Sequence, residues 1–128
     1  MKSLFGTKTR QSDIVMYQKG QITLTSYVYN TLQLEEGDVI DIVQDDDNEL
    51  YIVLKIKQAI GKHKGKLRQS KEGVKTLQTY AKEVVKHIFN LCNEKDTKAI
   101  AFYVGSPCKV SGYDVALPII THNYDKRN

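Results

Sequence analysis

Residues equipped for covalent chemistry are sparse in this chain of 128 residues. Hydrolysis or acyl transfer needs a nucleophile, a base and oxyanion donors converging on one pocket. Cys108 follows Pro107 and stands fourteen residues before His122, but no local signature links the two. His63, His87 and His122 are scattered, and neither they nor Cys92 and Cys108 show metal-ligand spacing. The run Asp45-Asp46-Asp47 lacks the spaced ligands and distal glutamate of a calcium loop. There is no P-loop and no dinucleotide-binding glycine pattern. The expectation is a protein that is not an enzyme, with no metal, no cofactor and two reduced thiols.

What the chain does carry is charge, unevenly spread. Residues 1–54 hold 4 Lys/Arg and 9 Asp/Glu, a net of −5, while residues 55–128 hold 15 and 6, a net of +9. The densest part, residues 55–71, reads KIKQAIGKHKGKLRQSK, with seven basic residues and no acidic one. Basic side chains at that density neutralise phosphates and release counterions, the term that dominates nucleic-acid affinity. Arg68 is the natural base reader, since a guanidinium forks onto a guanine edge. No aromatic residue is interleaved, so stacking on single strands is not indicated. Lys62, Lys64, Lys66, Arg68 and Lys71 are the candidate phosphate contacts, with Lys19, Lys8 and Arg10 as auxiliaries. The plainer readings of the same run are a solvated linker, or a complement to the acidic half within one molecule or across a dimer.

These residues need a frame to position them. The 41% apolar and 27% charged composition is that of a soluble globular protein. No apolar run approaches the roughly 18 residues of a membrane span. The opening MKSLFGTKTRQS lacks a signal-peptide apolar core, so a cytoplasmic location is expected. Residues 1–12 read as a flexible arm. Asp13–Gln18 reads as a strand, Lys19-Gly20 as a turn, and Gln21–Leu24 as a half-buried strand with Ile22 and Leu24 on one face. Thr25 or Ser26 caps a short helix that sets Val28 and Leu32 four apart. Glu35–Asp38 is a turn, Val39–Gln44 a strand, and Asp45–Asn48 a hairpin connection. Leu50, Ile52, Leu54 and Ile56 then alternate with Tyr51, Val53 and Lys55, which sets the register of the next strand.

The order K-G-Q-I-T-L, then V-Y-N-T-L-Q-L-E-E-G-D-V-I-D-I, then an acidic turn and a strand, resembles the AbrB-like DNA-binding domain, which includes transition-state regulators and MazE-like antitoxins. The resemblance covers about residues 13–57. It implies a swapped-hairpin β-barrel formed by two chains, hence a homodimer or higher homo-oligomer, a double-stranded DNA partner and a role in transcription regulation. Some 45 residues close a poor core alone, which suits pairing. Thr25 stands where the family has proline and Gln33 where it has glycine. Met16, Gln21, Tyr29 and Asn30 stand where its DNA binders place basic residues. That shifts the expected phosphate contacts to the second half of the chain.

Beyond a basic linker at residues 58–70, the apolar positions Val74, Leu77, Ala81, Val84, Val85, Ile88, Leu91 and Cys92 recur every three or four residues. Their spacing predicts an amphipathic helix of about 20 residues. Ala99–Val104 reads as a strand buried on both faces, and Val115–Thr121 as a last strand placed at a sheet edge by Pro118. His122–Asn128 reads as a frayed tail. The fold class expected is α+β, an AbrB-like barrel at 13–57 followed by a small αββ unit at 71–128 with one long amphipathic helix. The leading functional expectation is a small DNA-binding regulator. The alternative is a protein-interaction module, antitoxin-like or homo-oligomeric, that does not bind DNA.

Overall fold

The computed structural model describes residues 12–56, 66–69 and 75–127. Strands β1 (Ile14–Tyr17) and β2 (Gln21–Leu24) form a hairpin whose turn places Gly20 at φ +115°. Glycine is required there twice over. The positive φ disfavours any side chain, and a Cβ would stand 3.0 Å from the Lys82 Cα. In β2, Ile22 and Leu24 are buried while Gln21 and Thr23 share the other face, where the Gln21 amide donates to Thr23 Oγ1 at 3.0 Å.

Helix α1 (Ser26–Thr31) packs Val28 inward, and Leu32 at its C-cap is buried with it. Gln33 follows in the left-handed region at φ +54°, and the Leu34 N–H returns to the Tyr29 carbonyl at 2.7 Å, which closes the helix end. Strands β3 (Val39–Gln44) and β4 (Leu50–Ile56) form the next hairpin, from Ile40↔Leu54 to Gln44↔Leu50. Asp45 organises its turn. Its Oδ1 accepts the N–H of Asp47 and of Glu49, each at 2.9 Å, and Tyr51 donates its hydroxyl to Oδ2 at 2.9 Å.

The long helix expected from residue 74 is not there. Strand β5 (Lys66–Gln69) pairs with β6 (Lys75–Tyr80), and α2 (Lys82–Leu91) has ten residues. Leu77, Ala81, Val84 and Val85 fit a helical stripe, but Leu77 and Thr79 also alternate with Thr76, Gln78 and Tyr80 at period two. Pairing decides between the two patterns: β6 lies on the open edge of β2, from Leu24↔Leu77 to Gln21↔Tyr80, where each residue completes a ladder hydrogen bond or a side-chain pair. Ala81, at φ −149° and ψ 80°, ends the strand and starts the helix, with its N–H bonded to the Gly20 carbonyl at 2.9 Å. Val85, Ile88 and Phe89 form the short buried stripe of α2. The fold is therefore a mostly antiparallel, curled half-barrel with two short helices, not α+β with a long one.

Strands β7 (Ala99–Val104), β8 (Cys108–Val110) and β9 (Tyr113–Arg127) complete the sheet. Its order is β3-β4-β9-β7-β1-β2-β6-β5, with β8 bonded to β9 off that path. Strands from residues 13–57 and from residues 71–128 are thus interleaved, since β9 lies between β4 and β7, β7 pairs with β1, and β6 with β2.

Pro118 is not at an edge. The Gly105 N–H donates to its carbonyl at 2.8 Å, so the side of β9 that lacks an N–H faces the end of the β7 ladder, and the ladder to β4 keeps all its bonds. The tail is not frayed either, because β9 pairs with β7 as far as Ala99↔Arg127.

One main core serves both halves, and Val15, Ala99 and Ala101 form a small second cluster. The main core joins Ile14, Met16, Ile22, Leu24 and Ile52 to Leu77, Ile88, Ile100, Phe102, Leu117 and Ile119, all nearly or fully buried. Each such side chain contributes roughly 1.5–3 kcal/mol through the apolar area removed from water. Asp13 is buried beside it, and its Oδ2 accepts the Val104 N–H at 2.9 Å, tying the start of β1 to the end of β7.

Candidate interaction surface

Of the residues singled out for phosphate contact, Lys19 lies exposed in the β1–β2 turn. Its carbonyl accepts the Tyr80 hydroxyl, so the turn is anchored to the end of β6. Lys66 and Arg68 belong to β5. Lys8, Arg10, Lys62, Lys64 and Lys71 lie outside the described residues. The basic stretch therefore leaves β4, which pairs with β3 at Val39↔Ile56, and re-enters the sheet at its opposite end as β5.

A concavity of about 510 Å³ lies beside β3. Its apolar wall is made by Ile22, Val39, Ile40, Ile42, Ala81 and Val84, and its rim by Asp41, Lys55, Lys82 and Glu83. Lys55 Nζ is 3.9 Å from Asp41 Oδ2 with both side chains partly exposed, a pair worth at most about 1 kcal/mol. β3 is the terminal strand of the sheet, and its residues are half-buried from Val39 to Val43. Sequence reading did not reach this cavity, because it is built from strand ends and a helix start far apart in the chain. Nothing in VIDIVQ distinguishes a sheet edge from a sheet interior.

Apart from Cys92, the groups with shifted acidities are structural clamps, one at the β3–β4 turn and one between β9 and the end of α2. Tyr51 is pushed up to about 12 by its hydrogen bond to Asp45, assisted by desolvation. Desolvation works against the ionised Asp45, but the N–H groups of Glu49 and Asp47 and the Tyr51 hydroxyl hold its carboxyl below the usual range. Tyr124 on β9 lies 2.8 Å from Glu94 Oε2 and 3.2 Å from the Cys92 carbonyl, which locks the end of α2 onto the sheet. That bond raises Tyr124 to about 12 and, with Thr97 and Lys126 against the opposing desolvation, lowers Glu94.

No catalytic pair forms between Cys108 and His122. Cys108 is exposed on β8 opposite Ala116, and His122 lies six residues farther along β9, roughly 20 Å away at strand rise. Desolvation raises the half-buried Cys92 thiol, which makes it a poor nucleophile. Among the described residues no group of three His, Cys, Asp or Glu side chains converges to hold a metal ion, and no helix is long and apolar enough to cross a membrane. No protein-family model, curated protein or solved structure matches the chain.

Proposed function

We propose that this protein binds double-stranded DNA through the basic stretch that links β4 to β6. The observation that carries this reading is the run of seven Lys/Arg with no acidic residue over 55–71, which leads into β5 at one end of the sheet. Lysines before β5 and on it can follow the phosphates. The AbrB-like pattern of residues 13–57 supports a regulatory role in which the sheet is the scaffold and the basic stretch makes the contact. Lys62, Lys64, Lys66 and Lys71 neutralise phosphates, Arg68 reads a base edge, and Lys8, Arg10 and Lys19 are auxiliary.

The test is a fluorescence-anisotropy titration of mixed-sequence duplex at about 50 and 200 mM salt, where binding through several phosphates weakens by orders of magnitude. The variant Lys64→Ala/Lys66→Ala/Arg68→Ala is titrated beside it, with its unfolding midpoint measured as a control on folding. Expected is a salt slope shallower by about 0.9 for each phosphate that the variant no longer neutralises. Absence of binding at the lower salt, or an unchanged slope in a folded triple variant, overturns the proposal.

A further inference from the structure

The two halves of the chain repeat one plan. A hairpin (β1–β2, then β5–β6) leads into a helix (α1, then α2) and on to a second hairpin (β3–β4, then β7–β9). From the helix ends through the following strand, residues 28–44 against 88–104, the match holds at a constant offset of sixty residues. Leu32 N–H bonds to Val28, Gln33 to Asn30 and Leu34 to Tyr29, and the same three bonds recur as Cys92 to Ile88, Asn93 to Asn90 and Glu94 to Phe89. Gln33 and Asn93 take the same left-handed conformation, φ +54° and +58°, and β3 (39–44) matches β7 (99–104) in full. Only Asn30/Asn90 and Ile40/Ile100 are identical between residues 30–44 and 90–104, so the repeat is visible in the backbone and not in the letters.

Exchanging the halves maps the strand junctions onto one another. β2–β6 and β4–β9 each map onto themselves. The junction β1–β7 maps onto β5–β3, and these two strands are the opposite ends of the sheet. The apolar cavity is lined by Val39, Ile40, Asp41 and Ile42 of β3, a strand that pairs among the described residues with β4 alone.

We infer that this cavity beside β3 is the seat of β5 from the same chain, and that β5 docks there to close the half-barrel into an eight-stranded barrel. Three further observations support this occupant. Residues 35–47, which carry β3, hold seven Asp/Glu and no Lys/Arg, against seven Lys/Arg and no Asp/Glu in 55–71. Closure pairs the outward N–H and C=O groups of two edges and covers the half-buried Val39, Ile40, Ile42 and Val43; a closed barrel of eight strands has room for side chains alone. The chain also reaches. Residues 57–65 span up to about 30 Å, and the far side of β3 is about 10 Å from β4.

The register follows from the closed junction. Val15 faces Ala101 and pairs with Thr23. Sixty residues before Ala101 is Asp41. Matching buried Ile22 and Leu24 to buried Leu77 and Thr79 sets Thr23 against Gln78, whose partner in β5 is Lys66. Asp41 therefore comes opposite Lys66, a cross-strand pair of opposite charge. The inference stands whether or not the basic stretch meets DNA.

The experiment places Asp41→Cys and Lys66→Cys in a Cys92→Ser/Cys108→Ser background of the full chain. Under mild oxidation the pair is expected to form a disulfide within one chain, seen as a faster band without reductant at unchanged monomer size. A bond only between chains would assign the seat to a second copy, and no bond would leave the barrel open; either overturns the inference. Amide hydrogen exchange on the unsubstituted protein is the independent check. The alternate amides of β3 that point away from β4 should be protected like those of β7 that face β1, and fast exchange at that set overturns it as well.

Discussion

β7 lies between β9 and β1, pairing with β1 from Ile14↔Phe102 to Tyr17↔Ala99, whereas β3, its match at an offset of sixty residues, pairs among the described residues with β4 alone. The two strands have the same length and follow the same helix end, yet five of the six residues of β7 are buried and none of β3. Phe102 is fully buried where Ile42 is half-buried. Burial of a strand is thus settled by what lies beside it and over it. An apolar strand with one side unpaired among the described residues marks a place where a further strand would add packing energy.

The largest effects should come from truncating that equivalent pair. Phe102→Ala removes a ring from the core, where it packs 5.6 Å from the Tyr124 ring centroid, and is expected to cost about 3–5 kcal/mol in denaturant unfolding. If β5 covers β3, Ile42→Ala falls in the range of a buried isoleucine, about 2–5 kcal/mol. A cost below about 1 kcal/mol at Ile42 would mean that the two junctions differ in solution as well.

Smaller effects are expected at the two helix ends, which share one geometry with different residues. Gln33→Gly relieves a left-handed side chain and should raise stability by up to about 1 kcal/mol. Asn93→Gly should gain less, because asparagine tolerates that region. Equal gains, or reduced stability from the change at Gln33, would show that the two ends are not equivalent.

The smallest effects are in the titrations. Tyr51 and Tyr124 each donate a hydroxyl to a carboxylate and should ionise near 12 in the folded protein, followed by tyrosinate absorbance. Their folded values lie above the unfolded ones, so the stability they contribute is complete below about 10 and is lost as pH rises through about 12. Glu94 has the opposite sign. Its depressed value contributes stability above the ordinary carboxylate range that is lost as pH falls through the folded value. Tyr124→Phe should delete one alkaline step and, through Glu94, move the acid transition to higher pH, and Tyr51→Phe should delete the other step and move the acid side in the same sense through Asp45.

The short elements of the first half were legible because their signals are local. Alternation marks QITL and the run from Leu50, turn residues mark the connections at Lys19-Gly20 and Glu35–Asp38, and Asp45 organises its own hairpin. The second half misled at Leu77–Val85, where one set of apolar positions satisfies both periods and only the presence of β2 selects a strand. Pro118 misled because whether an absent N–H matters depends on which neighbour it would have faced. The basic stretch was legible as charge, though its position at the end of the sheet was not. The cavity left no mark, since its wall joins residues from Ile22 to Val84.

Hairpins and the separation of charge follow from the amino-acid order directly, because turns, alternation and ionisation depend on residues within a few positions of one another; the Thr25 cap did not, since its Oγ1 donates to the Asp13 carbonyl at 3.3 Å and no side-chain cap forms. Long-range packing settles the rest: the described strands of both halves share one sheet and one main core, helix 82–91 is short, and β3 pairs among the described residues with β4 alone. Those outcomes depend on which strand edge meets which, and backbone N–H and C=O groups are the same in every residue but proline, so the letters do not encode the partner.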